Sequence, residues 1–215
     1  MTSDRTRVAT AQMELFALLD ANPKEQVIQE YLENKPWLLT IRHQIQPPVV
    51  ITQLPLGSDH RPDFAYFYRN SGGEVLVLVE IEPPSLEIFT GGADFTADFN
   101  HAEQQLQDWS SWAQRNSSTI ERSLEPLTDE FTTEVPSFDR IELILVAGRR
   151  MQINTEKRRR RWKERLDRLP RDTVIRTYDG YIESMLTAAK PDYLIQCVRY
   201  GNQTYRLAHL QVRDA

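Results

Sequence analysis

Apolar and polar positions along the chain alternate between two periods. Residues 8–20 (VATAQMELFALLD) carry apolar side chains at helical spacing, with Met13, Phe16 and Leu19 on one side. Asn22-Pro23-Lys24-Glu25 predicts a helix start, with Asn22 as N-cap, Pro23 in the first turn and Glu25 at the capping-box position. That helix runs through Val27, Ile28, Tyr31 and Leu32 to about Asn34, and Trp37-Leu38-Leu39 follows as an apolar plug. Three strands come next. Gln46–Leu56 is interrupted by prolines, which places it near a sheet edge. Pro62–Tyr68 is the second. Glu74–Glu82 is the third, and its Val-Leu-Val-Leu-Val run predicts a central strand buried on both faces. Ser71-Gly72-Gly73 joins the last two as a hairpin.

Beyond Pro83-Pro84 the pattern turns helical. Phe95–Asn116 sets Ala102, Leu106, Trp109 and Ala113 on one face. Ile141–Val146 predicts a buried strand, Asn154–Leu169 a helix, Val174–Tyr178 a short strand and Asp179–Leu186 a turn and helix. Tyr193–Arg199 and Thr204–Leu207 predict a final hairpin. The order defines an α/β fold with a central mixed β-sheet flanked by helices. Residues 1–22 are expected as a helical extension and 23–215 as the main domain, with an acidic insertion near 117–139.

Composition narrows the classes. The 215 residues include one cysteine and four histidines, which argues against a disulfide framework or a Cys/His zinc cage. No apolar run approaches the roughly 20 residues of a membrane helix, and the first residues lack the apolar core of a signal peptide. A cytoplasmic protein with no membrane association is expected. Net charge is -5, but it is segregated. Residues 148–171 hold 11 of the 26 Lys+Arg, including the run Arg158, Arg159, Arg160 and Arg161. Residues 121–139 hold six acids and two prolines without helical period, and read as an exposed loop. The basic run suits nucleic-acid phosphate, or else a solvated helix face.

Three acids carry the candidate chemistry. Asp63 stands near the start of one hairpin strand, Glu80 and Glu82 near the end of the other. Residues two apart on a strand share a face, so Glu80 and Glu82 point together. Hairpin pairing brings Asp63 to the same end. Carboxylates gathered in an apolar strand are costly unless protonated or bound to a cation. Mg²⁺ accepts one or two carboxylates together with waters.

Pro62-Asp63 followed by Glu80-x-Glu82 resembles the PD-(D/E)xK nuclease superfamily, and Gln105-Leu106-x-x-Trp109 resembles a Gln-hydrophobic-x-x-Tyr element of its members. YLENKPWLL, RPDFAY, VLVEIEPP, HAEQQLQDW, IELILVAGRR and VIRTYDGYIE, in this order, are similar to the Shedu family of antiphage-defence nucleases. The resemblance implies a restriction-endonuclease-like fold that cleaves DNA with Mg²⁺, or Mn²⁺ in its place. It implies metal held by Asp63, Glu80 and the Ile81 carbonyl, Gln105 reaching the metal site or the nearby DNA backbone, and a homo-oligomer or a partner that restrains activity. Glu82 stands where the superfamily usually has lysine. It serves as general base or extra ligand, or it marks a domain that binds without cutting. Arg61 and His101 are candidates for the missing cation, and Glu30 for a further acid.

Overall fold

A computed structural model describes residues 4–43, 45, 48–58, 60–131, 137–185 and 194–200. In chain order the elements are α1 (Asp4–Asp20), α2 (Glu25–Asn34), α3 (Trp37–Thr40), β1 (Val49–Thr52), β2 (Phe64–Asn70) and β3 (Gly73–Ile81). Then come α4 (Ala97–Arg115), α5 (Ser117–Phe131), β4 (Arg140–Val146), α6 (Glu156–Asp167), β5 (Thr173–Arg176), α7 (Tyr178–Met185) and β6 (Gln196–Arg199). Six strands form one mixed sheet in the order β5-β4-β3-β2-β1-β6. β3 pairs antiparallel with β2 and parallel with β4.

The alternation in β3 divides the core. Val75, Val77, Val79 and Ile81 face a layer built from α1, α2, α3 and α7, where Leu15, Ile28, Leu38 and Ile182 are buried. Leu76 and Leu78 face the other layer, with Leu106 and Trp109 of α4 and Ile120 and Leu124 of α5. Both faces of β3 are therefore apolar, as its unbroken run predicts. Among the described residues no helix is long and apolar enough to cross a membrane.

Several expectations are corrected. The acidic stretch is helical through Phe131, because Ile120 and Leu124, four residues apart, share a buried face; its exposed-loop reading weighed the acids and prolines above that pair. β1 lies inside the sheet, with β6 parallel on its outer side, and spans only Val49–Thr52. Asn22 does not cap α2. Its φ of 49° is left-handed, and its amide donates to the Leu19 carbonyl, so it terminates α1, and Lys24 is the N-cap of α2. Met13 is 72% exposed, and the buried stripe of α1 is Val8, Ala11, Leu15 and Leu19. This stripe enters the common core, and the Gln12 side chain donates to the Ile182 carbonyl at 2.6 Å. β6 adds to β1 in parallel, and Thr204–Leu207 lies outside the described residues.

Leu78 is fully buried on the central strand, so Leu78→Ala should destabilise by about 2–5 kcal/mol in urea unfolding. Val174→Ala on the exposed face of edge strand β5 should change stability by no more than about 0.5 kcal/mol.

Candidate functional site

The β2–β3 ladder sets the geometry. Phe64 pairs with Val79, so Asp63, one residue before β2, comes level with the end of β3. There its Oδ2 accepts the Ile81 amide at 2.9 Å. Asp63 is buried, at 7% exposure. Glu80 precedes Ile81 and leaves β3 on the α4 side. Its Oε1 accepts from Gln105 Nε2 at 3.2 Å, and its Oε2 is buried with no donor. Glu82 follows the strand. Its amide donates to the Val146 carbonyl at 2.9 Å, and its carbonyl accepts from the Tyr178 hydroxyl at 2.7 Å. Bonds to its amide and to its carbonyl thus fix the Glu82 backbone.

Burial dominates the electrostatics. It pushes the Asp63 and Glu80 carboxyls up from their ordinary values. The proximity of the two side chains lowers Asp63 and raises Glu80, so Glu80 is the more readily protonated of the two. Burial, with Glu25, Asp63 and Asp98 nearby, pushes Glu82 up to about 7. Every charged neighbour that shifts these three is itself an acid: Glu25, Glu33 and Asp98 beyond the trio.

The remaining candidates sort clearly. Gln105 reaches Glu80 because α4 lies across that face of the sheet. Trp109, one turn later, is fully buried among the core residues. Arg61 and His101 are exposed and form no hydrogen bond or ion pair with the acids. Glu30 is exposed and accepts from Gln26 at 3.3 Å. The acid that α2 brings toward the site is Glu25 at its first residue, and burial raises its carboxyl. Sequence reading treated Glu25 only as a cap; its signal was an acid in the first turn of the helix that precedes the hairpin. Tyr178 was visible only inside the TYDGYIE segment.

The arginine run has a structural task. Arg158 donates to the Thr90 carbonyl at 3.1 Å, Lys157 to Gly92 at 2.8 Å and Arg161 to Ala93 at 3.3 Å, and Arg161 also pairs with Asp94. Gln152 binds the same segment through the Ile88 amide and the Leu86 carbonyl. These bonds hold the loop that links Glu82 to α4, and so the spacing between Glu82 and Gln105. Arg159 donates to the Asn154 carbonyl, and Arg160 pairs with Glu164 at 3.8 Å.

Among the described residues no three His, Cys, Asp or Glu side chains stand close enough together to hold a metal ion. The set that fits a hard cation is smaller: Asp63, Glu80 with its undonated Oε2, and a backbone carbonyl such as that of Ile81. Two carboxylates completed by water suffice for Mg²⁺.

Fold and site together define an α/β domain with a cluster of buried and half-buried acids at the end of its central hairpin. A family model described as Shedu protein SduA, C-terminal, matches residues 22–181. The chain belongs to that family. No curated protein matches the sequence.

Because folding favours protonated Glu82, its stabilisation is complete below the ordinary carboxyl range and is lost as pH rises toward about 7. Metal-free protein should therefore melt at progressively lower temperature from about pH 5 to about pH 7, and Glu82→Gln should reduce that slope. Glu80→Gln, which matches the protonated acid in shape, should leave the melting temperature at pH 7 unchanged or higher. A fall would show that Glu80 is ionised.

Proposed function

We propose that the protein is a PD-(D/E)xK-type enzyme that hydrolyses DNA phosphodiester bonds with Mg²⁺, acting in antiphage defence. One observation carries the reading. Asp63 and Glu80 are two buried acids that perturb each other, one held by the Ile81 amide and the other by Gln105, with Glu80 Oε2 left without a donor. Such a pair is unfavourable by itself and is relieved by a hard cation. Membership of the Shedu family supports the defence role.

Each residue has a part in this mechanism. Asp63 and Glu80 would hold the cation, and Gln105 fixes the Glu80 carboxyl through Oε1. When bound, Mg²⁺ polarises a phosphoryl oxygen and neutralises charge there. Among the described residues the acids form no three-ligand metal group, which favours Glu82 as general base over third ligand. With a carboxyl near 7 it can take the proton of an attacking water at neutral pH. The water oxygen bonds to phosphorus, the phosphorus–oxygen bond to the leaving strand breaks, and solvent protonates the leaving oxygen. The arginines of α6 would meet the DNA backbone, and the active form is expected to be a homo-oligomer.

The acid-only surroundings favour a second reading, a nuclease-like module that binds nucleic acid or a partner without cutting. Purified protein with linear and supercoiled DNA separates the two. Cleavage in Mg²⁺ or Mn²⁺ should fall by about 10²-fold or more in Asp63→Asn and in Glu82→Gln. Absence of wild-type cleavage in both metals, or full activity in Asp63→Asn, would overturn the enzyme reading. DNA binding should weaken with salt. Neutralising Arg158, Arg159, Arg160 and Arg161 together should flatten the slope, by about 0.9 for each phosphate that the helix no longer neutralises. An unchanged slope would confine α6 to holding the loop.

A further inference from the structure

Among the described residues, β5 stands at one end of the sheet with no strand beside it. Thr173 to Thr177 form one wall of a cleft of about 700 Å³. The opposite wall is Arg159, Trp162 and Leu166 of α6, continued by Leu169. Steps of three, four and three residues put these four on one stripe. The helix is anchored on α4 rather than on the strand: Trp162 packs on Phe99 with centroids 5.8 Å apart, and Arg165 bonds Glu103 and Asn100. A groove remains between an apolar helical stripe and an open strand edge.

The charge of the lining is one-sided. Arg150, Arg159 and Arg176 contribute to it, and no acid does, although the whole chain carries a net charge of -5. Arg150 is engaged by Glu183. Arg159 meets only a main-chain carbonyl, and the charged neighbour of half-buried Arg176 is another cation, Arg42. An unpaired strand edge offers amides and carbonyls in register for an added strand, and a flanking helix supplies side-chain pockets.

We propose that the cleft between β5 and α6 docks an extended, acidic segment of a partner protein. The segment lies beside β5 as an added strand. Its apolar side chains rest on Trp162, Leu166 and Leu169, and its carboxylates meet Arg159 and Arg176. Four β5 residues at a rise of about 3.3 Å engage four to five partner residues. The open backbone edge and the apolar stripe favour a peptide over nucleic acid. Successive bases need a row of aromatic faces, and the cleft has one aromatic ring, Trp162, already packed on Phe99.

The test uses the full chain carrying Asp63→Asn, which makes it independent of cleavage. Displayed random peptides about ten residues long are selected on it, and the strongest binder is labelled and titrated. Enriched sequences should alternate apolar and acidic positions and avoid proline. Affinity should drop at least about tenfold, near 1.4 kcal/mol, for Arg159→Glu, for a peptide with lysines in place of its acids and for one N-methylated along the strand. Arg160→Glu, on the same helix but outside the cleft, should bind as the parent does. No enrichment, enrichment of basic or proline-rich sequences, or equal loss in Arg160→Glu would overturn the proposal. It would equally be overturned by oligothymidine displacing the peptide, which would give the cleft to nucleic acid, or by self-association lost in Arg159→Glu, which would give the edge to a second copy.

Discussion

The hydrogen bond from the Ile81 amide to Asp63 is the constraint on which the site depends. It uses the end of the central strand β3 to hold a carboxylate immediately before the neighbouring strand begins. That placement follows from the β2–β3 register and cannot slip by one residue without turning the Val75–Ile81 stripe toward the opposite layer. Core packing and site geometry are therefore one requirement. The penalty is two acids, Asp63 and Glu80, held against each other where water is scarce, with Glu82 adding its charge from the next position. An acid cluster in this state favours protons or a cation.

Much of this was legible in the sequence, for identifiable reasons. The unbroken apolar run of β3, the Ser-Gly-Gly turn and the acids at both ends of the hairpin are local signals, and local pairing realises them. α4 was legible because four apolar residues recur at helical spacing, and its Gln105 follows from that register. What escaped was long-range or ambiguous. β6 joins β1 across most of the chain, which no local pattern encodes. α5 is carried by Ile120 and Leu124 inside a stretch dominated by acids and proline. Glu25 enters the site only because α2 points its first turn at the hairpin's end. An arginine run reads alike whether its partners are phosphates or carbonyl oxygens, so the bonds from α6 to the Thr90–Ala93 segment needed the structure.

Those bonds couple elements that sequence reading kept apart. The basic helix holds the loop between Glu82 and α4, and α4 in turn presents Gln105 to Glu80. Any anion drawn to α6 would compete with loop carbonyls for the same guanidinium groups, so the charge of the helix also bears on the geometry of the acid cluster. On the far side of α6, Arg159 and Trp162 turn toward β5. One helix thus borders the loop on one flank and an open sheet edge on the other.

The most direct test of the central claim is an anomalous-scattering map from crystals soaked in Mn²⁺. The account predicts a single strong peak shared by the Asp63 and Glu80 carboxylates, absent in Asp63→Asn, with Glu82 outside its inner ligands. A map with no peak at the pair, or with the ion held by Glu25, Glu82 and Asp98 instead, would contradict it.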